Sequence, residues 1–252
     1  MTVLAACALP LLAGAGPASA GTLVPAEASA TGTTAAAPGA ALTALAALPV
    51  KGRAAKTGYA RKQFGKAWAD TDHNGCDTRN DVLKRDLVGE KTKSGTHGCV
   101  VAKGTLRDHY SGKTISFKRG NDTSSKVQID HVVALGDAWQ TGAQGWGTTS
   151  RTAFANDPLN LLAVDGRLNE KKKDADAASW LPPNKSFRCD YVARQVAVKT
   201  RYRLWMTRAE ADASAKVLST CPDETLPGGV VAPVAPASSS SAPAPEIGRA
   251  HV

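Results

Sequence analysis

The sequence predicts an α+β fold built from short strands and mostly polar helices. β-prone runs bounded by Gly, Asn and Asp alternate with runs of helical spacing that open on good capping residues. The informative patterns are confined to the middle of the 252-residue chain, between two ends of low complexity, and no internal repeat is visible.

The first twenty residues, MTVLAACALPLLAGAGPASA, form an apolar run closing on Ala18-Ser19-Ala20, the small-x-small pattern of an export-signal cleavage site. Residues 1–20 are therefore expected to be a signal peptide and the protein to be secreted. No Lys or Arg precedes the run, which points to an atypical signal or a start further upstream. LAAC at 4–7 resembles a lipoprotein box, but the apolar run continues past Cys7 and opposes that reading. Residues 21–54 and 222–252 are rich in Ala, Thr, Pro and Ser and show no periodic apolar face. Without burial to offset the ordering entropy, both are expected to be disordered. One folded domain is expected over 55–221, long enough for its own core. Beyond the signal no stretch is apolar enough to span a bilayer, so a monomer without stable membrane insertion is expected.

Within the domain, 57–68 (TGYARKQFGKAW) has apolar or aromatic residues at a loose helical spacing. In 77–87 (DTRNDVLKRDL), Val82, Leu83 and Leu87 share one face behind Asp77 as N-cap. Residues 98–118 read as two β segments around a Gly-containing turn, KVQID as a third strand, and HVVALGDAW as a helical turn or two. A Gly- and Thr-rich loop at 141–150 precedes NLLAV, a buried strand. GRLNEKKKDADAASW reads as a loop leading into a polar helix stopped by Pro182-Pro183. Residues 190–205 suit a helix with one basic face, and TRAE at 207–210 is a capping box opening a last helix to about Leu218.

Residues 51–221 hold 30 of the 31 Lys and Arg but only 18 of the 22 Asp and Glu, a net charge near +12. A field of that sign favours a polyanionic partner, nucleic acid first, although plain solubility accounts for some of it. Cys7 falls in the signal, leaving Cys76, Cys99, Cys189 and Cys221. An even count in an exported chain suggests two disulfides, and three pairings are open. Cys76–Cys99 with Cys189–Cys221 is preferred, since each bridge would staple one end of the domain. Zinc is disfavoured because no CxxC or CxxH spacing occurs.

The segment with the most chemistry is VQIDHVVALGDAW, 127–139, which sets Asp130 beside His131 at the end of a short strand. Downstream lie Asn160 in DPLNLLAV and Asn169 in GRLNEKKKD, giving strand, strand and helix in that order. The order resembles the ββα-metal core of the HNH (His-Me finger) endonucleases. More closely, IDHVVAL, NDPLNLLAVDGRLNEKK and WLPP resemble the branch found as the C-terminal nuclease module of GmrSD-type restriction enzymes and in small exported actinobacterial proteins. GCDTRNDVLKRDL and RCDYVARQVAVK fit the exported subgroup, so the resemblance spans roughly residues 64–205. It implies a ββα-metal core at about 126–181 in a small, mainly helical, disulfide-stapled domain.

By this resemblance Asp130 and Asn169 hold a divalent metal, His131 is the general base, and Asn160 fixes the loop that aims it. An imidazole titrating near neutrality suits deprotonation of water, and a hard cation suits the charge on a phosphodiester and its leaving oxygen. Asn169 stands where the family often has His, which favours Mg²⁺, then Mn²⁺, over Zn²⁺. Lys172, one turn from Asn169, with Lys171 and Lys173, is expected to meet backbone phosphates; Arg194, Lys199, Arg201 and Arg203 are expected to extend that track, and Arg79 to reach the scissile phosphate in the exported subgroup. Each motif residue has a plainer alternative: Asp130 and Asn169 as helix caps, His131 as a packed or surface imidazole, Asn160 as a turn residue, and EKKKD as a solvated face.

A second candidate metal site is DTDHNGCDTRND, in which Asp70, Asp72, Asn74 and Asp81 match the spacing of a Ca²⁺ loop. Asp in place of the usual last Glu, Cys76 in a disulfide and a helix starting mid-loop make a tight polar turn the competing reading. His73, His97 and His109 have no partner pattern. The chain is thus expected to be a secreted, metal-dependent endonuclease of low sequence specificity acting on DNA, with RNA as the second candidate. The rivals are a non-catalytic basic nucleic-acid-binding protein on the same scaffold and an exported Ca²⁺-binding protein.

Overall fold

A computed structural model describes residues 40–228 apart from Asp122; the expected signal peptide and the outer parts of both tails lie outside the described residues. The order is helix α1 (Ala40–Ala47), a 3₁₀ turn (Arg61–Phe64), α2 (Thr78–Asp86), and strands β1 (Leu87–Thr92), β2 (Val101–Arg107) and β3 (Thr114–Lys118). Then follow β4 (Val127–His131), α3 (Leu135–Gln140), α4 (Thr148–Ala155), β5 (Leu161–Asp165), α5 (Gly166–Lys172), α6 (Arg188–Arg201) and α7 (Arg208–Leu218). β1, β2 and β3 form an antiparallel meander, and β4 pairs antiparallel with β5.

Side chains alternate across a strand, so the β4–β5 ribbon serves two cores at once. Val127 and Ile129 of β4 with Leu161 and Ala163 of β5 pack on Val82 and Leu83 of α2 and on Leu106 and Phe117 of the meander. On the other face Leu162 and Val164 join Tyr191, Val192 and Val196 of α6. Burying a side chain of this size contributes about 1.5–3 kcal/mol, so a one-residue slip would forfeit both cores together. A third cluster of Phe64, Trp139, Phe154, Val198 and Leu204 closes the end of the ribbon that carries His131.

The junction from β5 into α5 departs from the expected loop and long polar helix. Asp165 caps α5 directly, its Oδ1 accepting from Arg167 N (2.8 Å) and Leu168 N (3.1 Å). The helix starts at Gly166, where a Cβ would lie 1.9 Å from the Ser125 carbonyl oxygen, so only glycine permits this approach. It ends with Lys173 in the left-handed conformation (φ 52°), well before Pro182. Two further elements arise where no pattern announced them: β1 continues straight from α2, and α4 forms within and beyond the expected loop at 141–150.

The flanking segments are also more ordered than expected. Ala41 and Leu45 of α1 are buried in the cluster with α6 and α7, and Leu226 is buried near the other end. Ala and Leu are the strongest helix formers, and here an alanine-rich stretch of low complexity is a packed helix. From α1 a strap crosses the molecule: Met206 N bonds to Pro49 O, Lys51 N to Met206 O, and Ala54 N to Gln140 O. Arg53 anchors it, pairing with Asp137 (2.8 Å) and Asp176 (2.6 Å). Lys199 meets Asp137 (3.0 Å) and Glu210 (2.7 Å) from the opposite side. Three buried carboxylates thus face two cations, and burial pushes the Glu210 carboxyl up to about 7 against the pull of Lys199. Thr207 caps α7 by accepting from Glu210 N (3.1 Å), but the Glu210 side chain turns inward to Lys199 and does not complete the capping box.

Two disulfides are formed, Cys76–Cys99 with Cα atoms 5.1 Å apart and Cys189–Cys221 with Cα atoms 6.5 Å apart. Among the described residues no helix is long and apolar enough to cross a membrane.

Candidate active site

His131 ends β4 on the face that carries Ile129, and the imidazole is buried, only 7% exposed. Its Nε2 lies 2.8 Å from the carbonyl oxygen of Ala155, the last residue of α4. A carbonyl can only accept, so Nε2 carries the proton and the lone pair is left on Nδ1. The ring of Trp68 stacks on the imidazole with centroids 6.1 Å apart and planes 14° from parallel. Burial lowers the His131 pKa to about 3, below the near-neutral titration expected of a general base; the ring is neutral at ordinary pH and a weaker base than an exposed imidazole.

Asp130, one residue earlier, points to the opposite face and is 4% exposed. Its Oδ2 accepts from the Tyr110 hydroxyl (2.5 Å) and its Oδ1 from Lys172 Nζ (3.0 Å). Burial raises the carboxyl pKa, and the Lys172 charge and the Tyr110 hydrogen bond oppose the rise. Tyr110, held well above its ordinary pKa by burial and by the Asp130 charge, remains a donor. Asp108 sets its position, accepting from Tyr110 N (3.3 Å) and from Asp165 N (3.0 Å), which ties the β2–β3 turn to the start of α5.

Lys172 departs from its expected place among the phosphate contacts. It is 1% exposed and bonds both Asp130 and the His131 carbonyl oxygen (2.8 Å). Spaced three residues after Asn169, it sits on the inward face of α5, out of reach of a nucleic-acid backbone. Lys171 and Lys173 are exposed on either side of it.

Asn160 is fully buried and grips Val133 at both ends, Oδ1 accepting from its N–H (2.8 Å) and Nδ2 donating to its carbonyl (3.2 Å). Its own carbonyl accepts from Val132 N (2.8 Å), so the turn after His131 is tied to the start of β5. Asn169, on α5, donates from Nδ2 to Gln128 Oε1 (2.9 Å). Asp130, His131 and Asn169 line one polar cavity of about 190 Å³, together with Arg61, Lys173 and Asp174. With Nδ2 taken by Gln128, the Asn169 amide offers its oxygen. The lining thus brings together a carboxylate, whose two oxygens already accept from Tyr110 and Lys172, and an amide; these are oxygen donors of the kind that Mg²⁺ or Mn²⁺ takes together with water.

The other expected residues lie apart from this cavity. Arg79 is half-buried, donates to Val127 O (3.3 Å), and has its pKa lowered by burial and by Arg119. Arg194 donates to Leu159 O (3.0 Å) and faces a separate cavity with Asp190 and Glu224. In the 70–81 loop, Asp70 accepts from Asn74 N (3.1 Å) and Gly75 N (2.9 Å), and Asp72 accepts from Asn74 Nδ2 (2.9 Å). These are the bonds of a tight polar turn, and burial raises the Asp81 carboxyl. Asp77 caps α2 from this loop, accepting from Asn80 N (2.8 Å).

Several site residues carried no signal. The Ala155 carbonyl is backbone, and Tyr110 reaches Asp130 from a turn 20 residues away. Arg61, Lys62, Lys66 and Trp68 were legible in principle, because YARKQFGKAW interleaves basic and aromatic residues as nucleic-acid surfaces do.

The sequence profile of the GmrSD restriction endonuclease C-terminal domain matches residues 77–217 of the chain. The chain is also similar to a protein described as an uncharacterized secreted protein of Arthroderma benhamiae, with 36% identity over 179 residues. That match covers 70% of this chain and 82% of the relative. No solved structure matches.

Proposed function

The chain belongs to the family of GmrSD restriction endonuclease C-terminal domains, and on that premise we propose that it is a secreted, metal-dependent endonuclease of HNH type with low sequence specificity. The observation that carries the reading is the union, in one polar cavity, of a neutral imidazole of fixed tautomer with a carboxylate and an amide oxygen. The similarity to a fungal protein described as secreted and the two disulfides support an extracellular setting.

His131 holds its lone pair on Nδ1 because Ala155 occupies Nε2, so the ring takes a proton from water without first losing one. As the water oxygen bonds to phosphorus, the bond to the departing sugar oxygen breaks, and the proton rests on Nδ1. Asn160 keeps the turn after His131 in place, and Trp68 holds the ring plane. Asp130 and Asn169 would hold a divalent ion, Mg²⁺ before Mn²⁺. Such an ion supplies stabilisation of negative charge on the phosphate and the leaving oxygen. Lys172 and Tyr110 fix the Asp130 carboxylate from behind. Arg61, Lys62, Lys66, Lys171 and Lys173, exposed around the site, would meet phosphates and make binding sensitive to salt. DNA is the first candidate polymer and RNA the second.

The test is cleavage of plasmid DNA and of RNA with Mg²⁺, Mn²⁺, Ca²⁺ or EDTA, for the native chain and for His131→Ala. Metal-dependent cutting is expected, with a loss of about 10²–10⁴-fold in the variant and binding retained. Full activity in His131→Ala would refute the assignment of the base. Salt-sensitive binding without cutting in any metal would leave a nucleic-acid-binding protein.

A further inference from the structure

His131 stands between two cavities. Beside the polar one is a second of about 230 Å³, lined by Phe64, Trp68 and Leu135, with Arg61, Lys62 and Lys66 at its exposed mouth. Arg61, His131 and Leu135 line both, so a chain of nucleotides with its phosphate in the polar cavity has its next chemical unit at the door of the apolar one. The volume is below the roughly 300–1,000 Å³ of pockets that hold drug-sized ligands and suits a single planar ring system.

The lining has what a nucleobase requires. Trp68 offers an aromatic wall, held in place with a left-handed backbone (φ 58°) that a tryptophan rarely adopts. Asn156 lines the same cavity, 1% exposed, with Nδ2 committed to Thr152 O (2.9 Å) and its Oδ1 without a hydrogen-bond partner among the described residues. A buried acceptor left unpaired costs about 1–3 kcal/mol, and the polar edge of a base supplies a donor for it. The three cations at the mouth suit the flanking phosphates. A base stacked and paired in a duplex cannot enter such a pocket.

We propose that this cavity receives the base of an unpaired nucleotide beside the scissile phosphate, so that the protein acts on single strands in preference to duplex. This rests on the nuclease reading above. Trp68 supplies the stacking surface, with the buried Phe64 as apolar wall behind it; stacking tolerates every base, and specificity for strand state replaces specificity for sequence.

The experiment uses the oxidised full chain and Ala67→Trp, which fills the cavity from an exposed lining position. In EDTA, the affinity for a fluorescent single-stranded oligonucleotide is compared with that for its duplex and for the same strand carrying abasic sites. We expect the native protein to prefer the single strand and to lose about tenfold with the abasic strand. Ala67→Trp should lose a similar factor on the intact strand and nothing further on the abasic one. Trp68→Ala should match that loss and Trp68→Phe should restore most of it. Equal affinities across strands and variants would overturn the proposal. Cleavage in Mg²⁺ separates it from the reading beneath it. A protein that cuts nothing, yet binds single strands in an Ala67→Trp-sensitive way, refutes the nuclease and keeps the pocket. One that cuts duplex as fast as single strands, unaffected by Ala67→Trp, keeps the nuclease and refutes the pocket.

Discussion

Lys172→Met is the most informative single change, because its cost can be worked from the contacts. The ammonium is fully buried and satisfies two acceptors, Asp130 Oδ1 at 3.0 Å and the His131 carbonyl at 2.8 Å. Met fills much of the same volume without a donor, which leaves a carboxylate that is 4% exposed without its counter-charge, held by the Tyr110 hydroxyl and a backbone hydrogen bond at His131. Removing one partner of a buried ion pair costs about 3–5 kcal/mol, of the order of a third of a typical domain's whole stability. At about 2–4 °C per kcal/mol for a chain of this length, the melting temperature should fall by roughly 6–20 °C. The sign of the pH dependence is also fixed. Asp130 already has a folded-state pKa raised by burial, so its contribution to stability is greatest at low pH and is lost as pH rises through that value. Without Lys172 the carboxyl rises further, so urea unfolding in EDTA should show a smaller deficit at pH 5 than at pH 8. Adding Asp130→Asn should recover part of the loss, since an amide needs no counter-charge. A deficit under 1 kcal/mol that does not vary with pH would refute the assignment of Lys172 as the buried partner.

Three other changes follow from the same structure. Glu210 folds with its pKa raised by burial to about 7 from the ordinary 4.5, so native stability should fall as pH rises between these values, by at most about 1.4 kcal/mol per unit; Glu210→Gln should flatten that slope in denaturation curves. Gly166→Ala forces a methyl against the Ser125 carbonyl, and should cost about 1–3 kcal/mol while lowering cleavage more than Gly145→Ala, whose surroundings are open and whose backbone any residue can adopt. Arg53→Ala leaves Asp137 and Asp176 without their shared cation, and should destabilise by about 2–4 kcal/mol by thermal melting, a loss growing with pH as Glu210 ionises.

The strand–strand–helix order and the placing of Asp130, His131, Asn160 and Asn169 on it were legible because each is a side chain of distinctive chemistry at a fixed spacing. What the spacing could not convey is which way a charged side chain turns. EKKKD reads as a solvated run, yet its middle lysine is the most buried cation of the site, because a helix places alternate members of a charge run on opposite faces. The Ala155 carbonyl leaves no trace in any residue identity. α1 hid for a different reason: an alanine-rich helix apolar on all sides has no period to detect, and only its burial against α6 and α7 shows why it is there. Tyr110 and Arg53 act across 20 and 84 residues, separations that no local pattern spans.

Cys76 is bonded to Cys99 and Cys189 to Cys221, closing loops of 23 and 32 residues that do not overlap. During synthesis from the N-terminus, the first ring can therefore close before either cysteine of the second has been made, and no scrambled pairing has to be undone. By chain-entropy estimates each ring is worth roughly 3–4 kcal/mol, and between them residues 100–188, including the whole β4-to-α5 segment, remain topologically open. The two bridges brace the ends of the molecule and leave the segment that bears the chemistry free to be rebuilt by substitution, insertion or circular permutation without rewiring a covalent link.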